Sequence, residues 1–148
     1  MRQILLAIFL MISISGFSQE RTDSLIMKDG KPYTGLYNEH YNDGSLKMQA
    51  EVVDGYQHGK TLLYYDSGKL KEERYYEKGL KTGTWTGWAE NGQKTTIASF
   101  VNDKKNGQWT IWDENGNKRY EMNYSEGRKT KIWYMWDEAG SLIMERQY

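Results

Sequence analysis

The stretch GQWTIWDENG, Gly107 to Gly116, recurs in altered form at a fixed interval of 24 residues along most of this 148-residue chain. Gly116 has equivalents at Gly44, Gly68, Gly92 and Gly140; Gly107 has them at Gly35, Gly59 and Gly83, with Lys131 in that place in the last copy. All six tryptophans fall into one register as W-x-x-W pairs: Trp85 with Trp88, Trp109 with Trp112, and Trp133 with Trp136. The two earlier copies carry Tyr37 with His40 and Thr61 with Tyr64 at those places. A strict period of this length demands a repeat array, in which each unit buries its apolar face against its neighbours.

Within each copy, an aromatic and β-branched first half runs to a turn at Asp43-Gly44, Ser67-Gly68, Asn91-Gly92, Asn115-Gly116 or Ala139-Gly140. Asn-Gly and Asp-Gly between apolar runs predict a two-residue type I′ hairpin turn, tightest at Asn115-Gly116, because both central residues need positive φ. Ser67 and Ala139 suit that turn less well, so a different geometry is expected in their copies. The two-residue turn sets a register: Ile111 opposite Tyr120, Trp109 opposite Met122 and Gly107 opposite Tyr124 on one face, Trp112 opposite Arg119 and Thr110 opposite Glu121 on the other. A slip of one residue would mix polar and apolar side chains on both faces. The third copy agrees, pairing Trp85 with Ala98 and Gly83 with Phe100. The opening glycine then faces Val52, Tyr76, Phe100 or Tyr124, as if a larger side chain folded over a bare strand position. The second turn carries Asp54-Gly55, Lys78-Gly79, Asn102-Asp103 or Glu126-Gly127. No segment shows helical periodicity, and the fold class is all-β: an elongated antiparallel meander of five 24-residue hairpins in ten strands. The copies span 35–58, 59–82, 83–106, 107–130 and 131–148.

Residues 1–18 stand apart from the array. Arg2, the apolar run Ile4 to Ile12 and the small-residue site Gly16-Phe-Ser18 read as a signal peptide cleaved before Gln19, which predicts export to the periplasm or the medium. Residues 19–34 form a polar leader and N-terminal cap, with a short opening strand at Leu25-Ile-Met27. No cysteine is present, so neither a disulfide framework nor a lipid-modified cysteine follows the leader. Lys and Arg number 20, as do Asp and Glu, and removing Arg2 with the leader leaves a net charge of −1. That balance argues against a nucleic-acid partner, which would call for a concentrated basic excess. The basic residues do gather at the second turns (Lys78, Lys81, Lys104, Lys105, Arg128, Lys129, Lys131), but interleaved Asp54, Glu77, Asp103 and Glu126 cancel much of their field. Any membrane contact is peripheral, and the edge reads as solubilising.

Catalysis finds no foothold in the side chains. His40 stands in a column otherwise filled by aromatic rings, His58 reads as a solvated loop residue, and the turn carboxylates sit on separate hairpins without a calcium pattern. No metal and no cofactor are expected. Trp85, Trp109 and Trp133 share a face with Leu63, Ile111 and Met135 and read as core. Tyr64, Trp88, Trp112 and Trp136 share the other face with Thr86, Thr110, Glu73 and Glu121 and form the candidate binding row. Aromatics there could stack on sugar rings or grip a partner protein, or else cover cross-strand cations, with Lys71 opposite Tyr64 and Arg119 opposite Trp112.

The pattern G-x-W/T-x-x-W/Y-x-x-x-G with a second strand and a K/E-G turn resembles MORN repeats, closest to the bacterial MORN-variant form, as in HGKTLLYYDSGKLKEERYYEKG. The resemblance covers about residues 30–148, with the glycine missing at Asp103 and Lys131. It implies a twisted sheet of hairpins used for binding or scaffolding; some bacterial members act as antitoxin or immunity proteins, and eukaryotic relatives are associated with phospholipid headgroups. The resulting expectation is a non-catalytic, exported module. Its partner is a protein, or a second copy of itself, engaged through the C-terminal edge strand Leu142 to Tyr148. The alternative is a glycan or cell-wall binder using the aromatic row.

Overall fold

The computed structural model describes residues 25–148; the signal peptide expected at residues 1–18 and the start of the expected leader lie outside the described residues. Among those residues every regular element is a strand. A two-stranded hairpin, β1 (Met27–Lys28) and β2 (Lys31–Pro32), leads into five long hairpins. These are β3 (Gly35–His40) with β4 (Leu46–Val53), β5 (Tyr56–Tyr64) with β6 (Leu70–Glu77), and β7 (Leu80–Trp88) with β8 (Lys94–Val101). Then come β9 (Lys104–Lys105) and β10 (Gly107–Trp112) with β11 (Lys118–Ser125), and finally β12 (Arg128–Trp136) with β13 (Leu142–Gln147). Spatial order follows chain order from β3 to β13 in one antiparallel sheet, with the short β9 pairing beside β10 on β8. The expected meander is thus the observed one. At the usual strand spacing it is roughly 45 Å wide.

The hairpin registers follow the side-chain argument for most of their length. Gly107 pairs with Tyr124, Trp109 with Met122, Thr110 with Glu121 and Ile111 with Tyr120. In the third copy Trp85 pairs with Ala98 and Gly83 with Phe100. The turns correct the sequence reading. At all five glycine turns a three-residue loop replaces the two-residue one. Gly116 N–H donates to the Asp113 carbonyl at 3.0 Å and Asp113 N–H to Asn117 at 2.9 Å, and the same pair of bonds recurs at Tyr41, Tyr65, Ala89 and Asp137. Only the glycine of each has positive φ, +85° at Gly116. This is a type I turn closed by a left-handed glycine, which asks nothing special of the residue before it. Ser67 and Ala139 therefore fit as well as Asn115, and no separate geometry is needed in their copies. The extra loop residue moves the register beyond Ile111, so Trp112 faces Lys118 instead of Arg119.

The type I′ turns lie between the repeats. Asp54-Gly55, Lys78-Gly79, Asn102-Asp103 and Glu126-Gly127 each have two consecutive positive φ values. Asp103 holds φ +66° without being glycine, a region that Asp and Asn tolerate better than most residues. These turns stack on one another. The N–H groups of Gly55, Gly79, Asp103 and Gly127 donate to the carbonyls of Tyr33, Gln57, Lys81 and Lys105 at 2.7–3.0 Å.

The opening glycine has a different job from the one expected. Its φ runs from +62° at Gly83 to +140° at Gly35, and Lys131 holds +58° in the last copy. What a side chain at Gly83 would meet first is Tyr75 of the preceding hairpin, not its own partner Phe100. The position is a bulge: between the pairs Glu73–Thr86 and Tyr75–Thr82 the single residue Arg74 of β6 faces the three residues 83–85 of β7. Bulges of this kind sharpen strand twist.

A single sheet has no second layer to bury its apolar face, and only a few side chains are sealed, among them Ala50, Val52, Thr61, Ala98, Phe100 and Trp133. The core is instead a row of rings lying over one another. Tyr76, Trp85, Phe100, Trp109, Tyr124, Trp133 and Tyr148 follow in sequence with centroids 4.7 to 5.3 Å apart. Interplanar angles of 48–64° keep the rings tilted or edge-on, as their quadrupoles prefer. Each ladder indole also caps a strand carbonyl of the preceding hairpin: Trp85 on Tyr75, Trp109 on Ser99 and Trp133 on Asn123, at 3.0–3.1 Å.

Candidate functional site

The row Tyr64, Trp88, Trp112 and Trp136 closes the first strand of four consecutive hairpins beside the glycine turns. All four are half-buried. Neighbours in the row are two strands apart, roughly 10 Å, too far for rings to stack. In the core ladder a second-strand ring fills that interval. Here the cross-strand partners are Leu70, Lys94, Lys118 and Leu142, none of which carries a ring. Among the described residues no ring contact joins two members of the row. Nor do the indole N–H groups of Trp88, Trp112 and Trp136 meet a protein acceptor, in contrast with Trp85, Trp109 and Trp133. The row is therefore a set of separated rings with free donors, spaced by aliphatic and lysine side chains.

The cation pairs expected on this row are placed differently. Lys71 lies over Tyr65 at 5.2 Å, not over Tyr64, and it is Lys118 that lies over Trp136 at 5.5 Å, Arg119 being displaced by the turn. Arg119 leaves its buried Nη1 without a protein partner. The main cation stacks sit on the core ladder. Lys81 lies over Trp85 and Phe100, Lys105 over Trp109 and Tyr124, and Lys129 over Trp133 and Tyr148, at 4.5–5.6 Å. Three of the seven basic residues on the edge read as solubilising thus place their ammonium groups over rings. The sequence signal of these stacks is K-x-x-x-W in three copies, Lys81 with Trp85, Lys105 with Trp109 and Lys129 with Trp133. His58, read as solvated, accepts the Lys78 N–H on Nδ1 at 3.3 Å. Thr110, assigned to the wetter face, is buried.

Electrostatics follow the ladder. Burial pushes the Tyr76 phenol up, against the opposing pull of Arg74, and burial does the same to Tyr124. At the open end the trend reverses, and hydrogen bonding from Arg146 and Lys129 holds the Tyr148 phenol below its ordinary value. Arg74 is tied to Glu72 at 2.6–2.7 Å and lies 5.0 Å over Trp85.

The two ends of the sheet differ. Residues ahead of β3 fold back on the first joint: Ile26 N–H donates to Gly55, Tyr33 N–H to Ile26 and Gly55 N–H to Tyr33, at 2.7–2.9 Å. At the other end β13 pairs with β12 alone, and its Leu142 and Ile143 are 49% and 54% exposed. Among the described residues the geometry brings together no acid, base and nucleophile.

A comparison with characterised proteins found no match to the chain. A comparison with protein families matches the MORN repeat variant at residues 57–78 and again at 105–126. The two stretches occupy the same place in the second and fourth copies and run from one inter-repeat turn to the next. MORN repeats commonly serve as protein- or membrane-binding modules, and the family is generally non-catalytic. With the matched hairpin recurring through the whole sheet, the chain carries repeats of the MORN-variant type, matched as such at residues 57–78 and 105–126.

Proposed function

We propose that this protein is an exported, non-catalytic binding module whose partner is a protein engaged by strand addition at β13. The observation that carries the reading is the unpaired outer edge of β13 with its exposed apolar side chains. Both outermost strands pair on one side only; the leader's Ile26 and Tyr33 bond to the β4–β5 turn at Gly55, while β13 presents an unpaired outer edge flanked by exposed Leu142, Ile143 and Tyr148. An edge of this kind, without proline, is a template for a further strand. The resemblance to antitoxin-like repeats supports a protein as the partner, and the leader at residues 1–18 supports an encounter outside the cytoplasm. Intact mass of the exported protein should begin at Gln19; a product retaining Met1 would refute the export.

Capture from the envelope fraction tests the edge. Ile143→Lys keeps β13 in place but puts a charge where an added strand must pack, and truncation after Ser141 removes β13. Both should abolish capture, while the folded triple variant Trp88→Ala, Trp112→Ala, Trp136→Ala retains it. Capture that survives Ile143→Lys and fails in the triple variant would overturn the edge reading. It would favour the second one, glycan binding along Tyr64, Trp88, Trp112 and Trp136, for which the free indole N–H groups speak.

A further inference from the structure

At Gly87 the period is broken on the core face by three short residues together, and the break makes a groove. The column Glu39, Leu63, Ile111 and Met135 has Gly87 as its third member. Opposite Gly87 stands Thr96, where the other copies place Met48, Glu72, Tyr120 and Met144. The next column, Lys47, Lys71, Arg119 and Ile143, has Thr95 as its third member. Three bulky side chains are thus replaced by short ones at a single spot. The result is a groove of about 320 Å³ lined by the ladder rings Trp85, Phe100 and Trp109, with Tyr65, Trp88 and Glu72 also on its wall.

The missing bulk is not demanded by the backbone, because Gly87 lacks the positive φ of the turn and bulge glycines. A Cβ placed there would meet Thr96 Cβ at 3.4 Å and the hydroxyls of Thr95 and Thr96 at 3.5 and 3.7 Å. Two consecutive residues of one strand thus turn their hydroxyls to the same space. A simple strand cannot do this, since neighbouring side chains alternate faces; the register shift between Gly87 and Trp88 allows it. Neither hydroxyl has a protein partner among the described residues.

We infer that this groove is a binding site for one or two rings of a neutral saccharide. The Trp88 ring on the wall, over which no ring or cation lies among the described residues, suits the C–H face of a pyranose, and the ladder rings Trp85 and Trp109 supply apolar walls. Thr95, Thr96 and the Trp88 indole N–H offer donors and acceptors for its hydroxyls. Net charge at the rim is small, because Arg74 neutralises Glu72 and Lys71 is engaged over Tyr65. An apolar side chain from a partner protein would bury both threonine hydroxyls unpaired, which is costly. The volume lies at the lower end of the range for small-ligand clefts. The site is independent of the β13 edge, and unlike a glycan read along the aromatic row it uses a single hairpin junction.

Tryptophan fluorescence and calorimetric titration with two neutral trisaccharides, cellotriose and chitotriose, test the inference. Wild type should bind at least one of them saturably. Gly87→Leu restores the side chain carried by the second copy at Leu63, and should leave the fold intact while weakening binding at least tenfold, roughly 1.4 kcal/mol. Thr96→Val, which keeps shape and removes one hydroxyl, should weaken it several-fold, so the test does not depend on how Gly87→Leu packs. Trp112→Ala with Trp136→Ala should change nothing. Absence of binding to both sugars by wild type, or equal affinity in Gly87→Leu and Thr96→Val, would overturn the groove. Loss in the Trp112 and Trp136 variant with retention in Gly87→Leu would likewise overturn it, transferring the sugar to the row.

Discussion

The first two repeats and the last three solve one problem, joining hairpin to hairpin, by different chemistry. In the early joints the contact is small and sealed. Ala50, Val52 and Thr61 are at most 2% exposed. Hydroxyl tethers reinforce them, from Tyr41 to the Tyr64 carbonyl at 2.7 Å and from Tyr65 to the Trp88 carbonyl at 2.8 Å. In the later joints those tyrosines give way to Ala89, Asp113 and Asp137, and the work passes to the ring ladder with its lysines and indole caps. The difference shows that the 24-residue period fixes where strands meet, not what meets there. A joint can be held by exclusion of water from small side chains or by large rings left half wet.

The comparison breaks most sharply at its centre. Trp109→Ala removes a ring stacked on both sides and uncaps the Ser99 carbonyl, and should cost about 3–5 kcal/mol in urea unfolding. Thr61→Ala, at the equivalent place, should cost about 1 kcal/mol because only a methyl and a hydroxyl are lost. Equal losses would mean that the two halves are not built differently. Tyr65→Phe comes next. Deleting its hydrogen bond to Trp88 should lower stability by about 1 kcal/mol, with the carbonyl partly regaining water. Lys105→Met keeps the stem and discards the charge over Trp109 and Tyr124, and should cost about 0.5–1 kcal/mol. Gln57→Met, at the same place in the second repeat, should be close to neutral; a matching loss would remove the cation from the account. The smallest effect has the opposite sign. Thr61 Oγ1 is sealed without a hydrogen-bond partner, so Thr61→Val should stabilise by about 0.5–1 kcal/mol, read as a raised denaturation midpoint with an unchanged slope.

The repeat, the strand pairing and the apolar face could be read from the residues because all three follow from periodicity. A period of two decides which side chains share a face, and a period of 24 decides which copies are equivalent. The pairing of Gly107 with Tyr124 and Trp109 with Met122 needed nothing more. Turn chemistry was legible only in part. Asn-Gly pointed to type I′ turns at Asn115-Gly116, yet those turns are three-residue loops, and the type I′ pairs stand at Lys78-Gly79 and Asn102-Asp103. The local preference was outweighed by the hydrogen bonds that stack each inter-repeat turn on the one before it, contacts between residues 22 apart that no dipeptide signals.

What only the tertiary structure decided concerns registers between hairpins. The bulge at each opening glycine slides one hairpin along the next. This sliding puts Lys105 over Trp109 and Tyr124 and sets the Trp109 indole under the Ser99 carbonyl, while the extra residue of the glycine-turn loop puts Lys118 in place of Arg119 opposite Trp112. The groove at Gly87 belongs to the same class. Its three short residues were visible one by one, but nothing in the sequence says that Thr95 and Thr96 face one space. That requires a strand to break its alternation, and the break is set by the loop at Gly92 and by the neighbouring hairpins, not by the residues that line the groove.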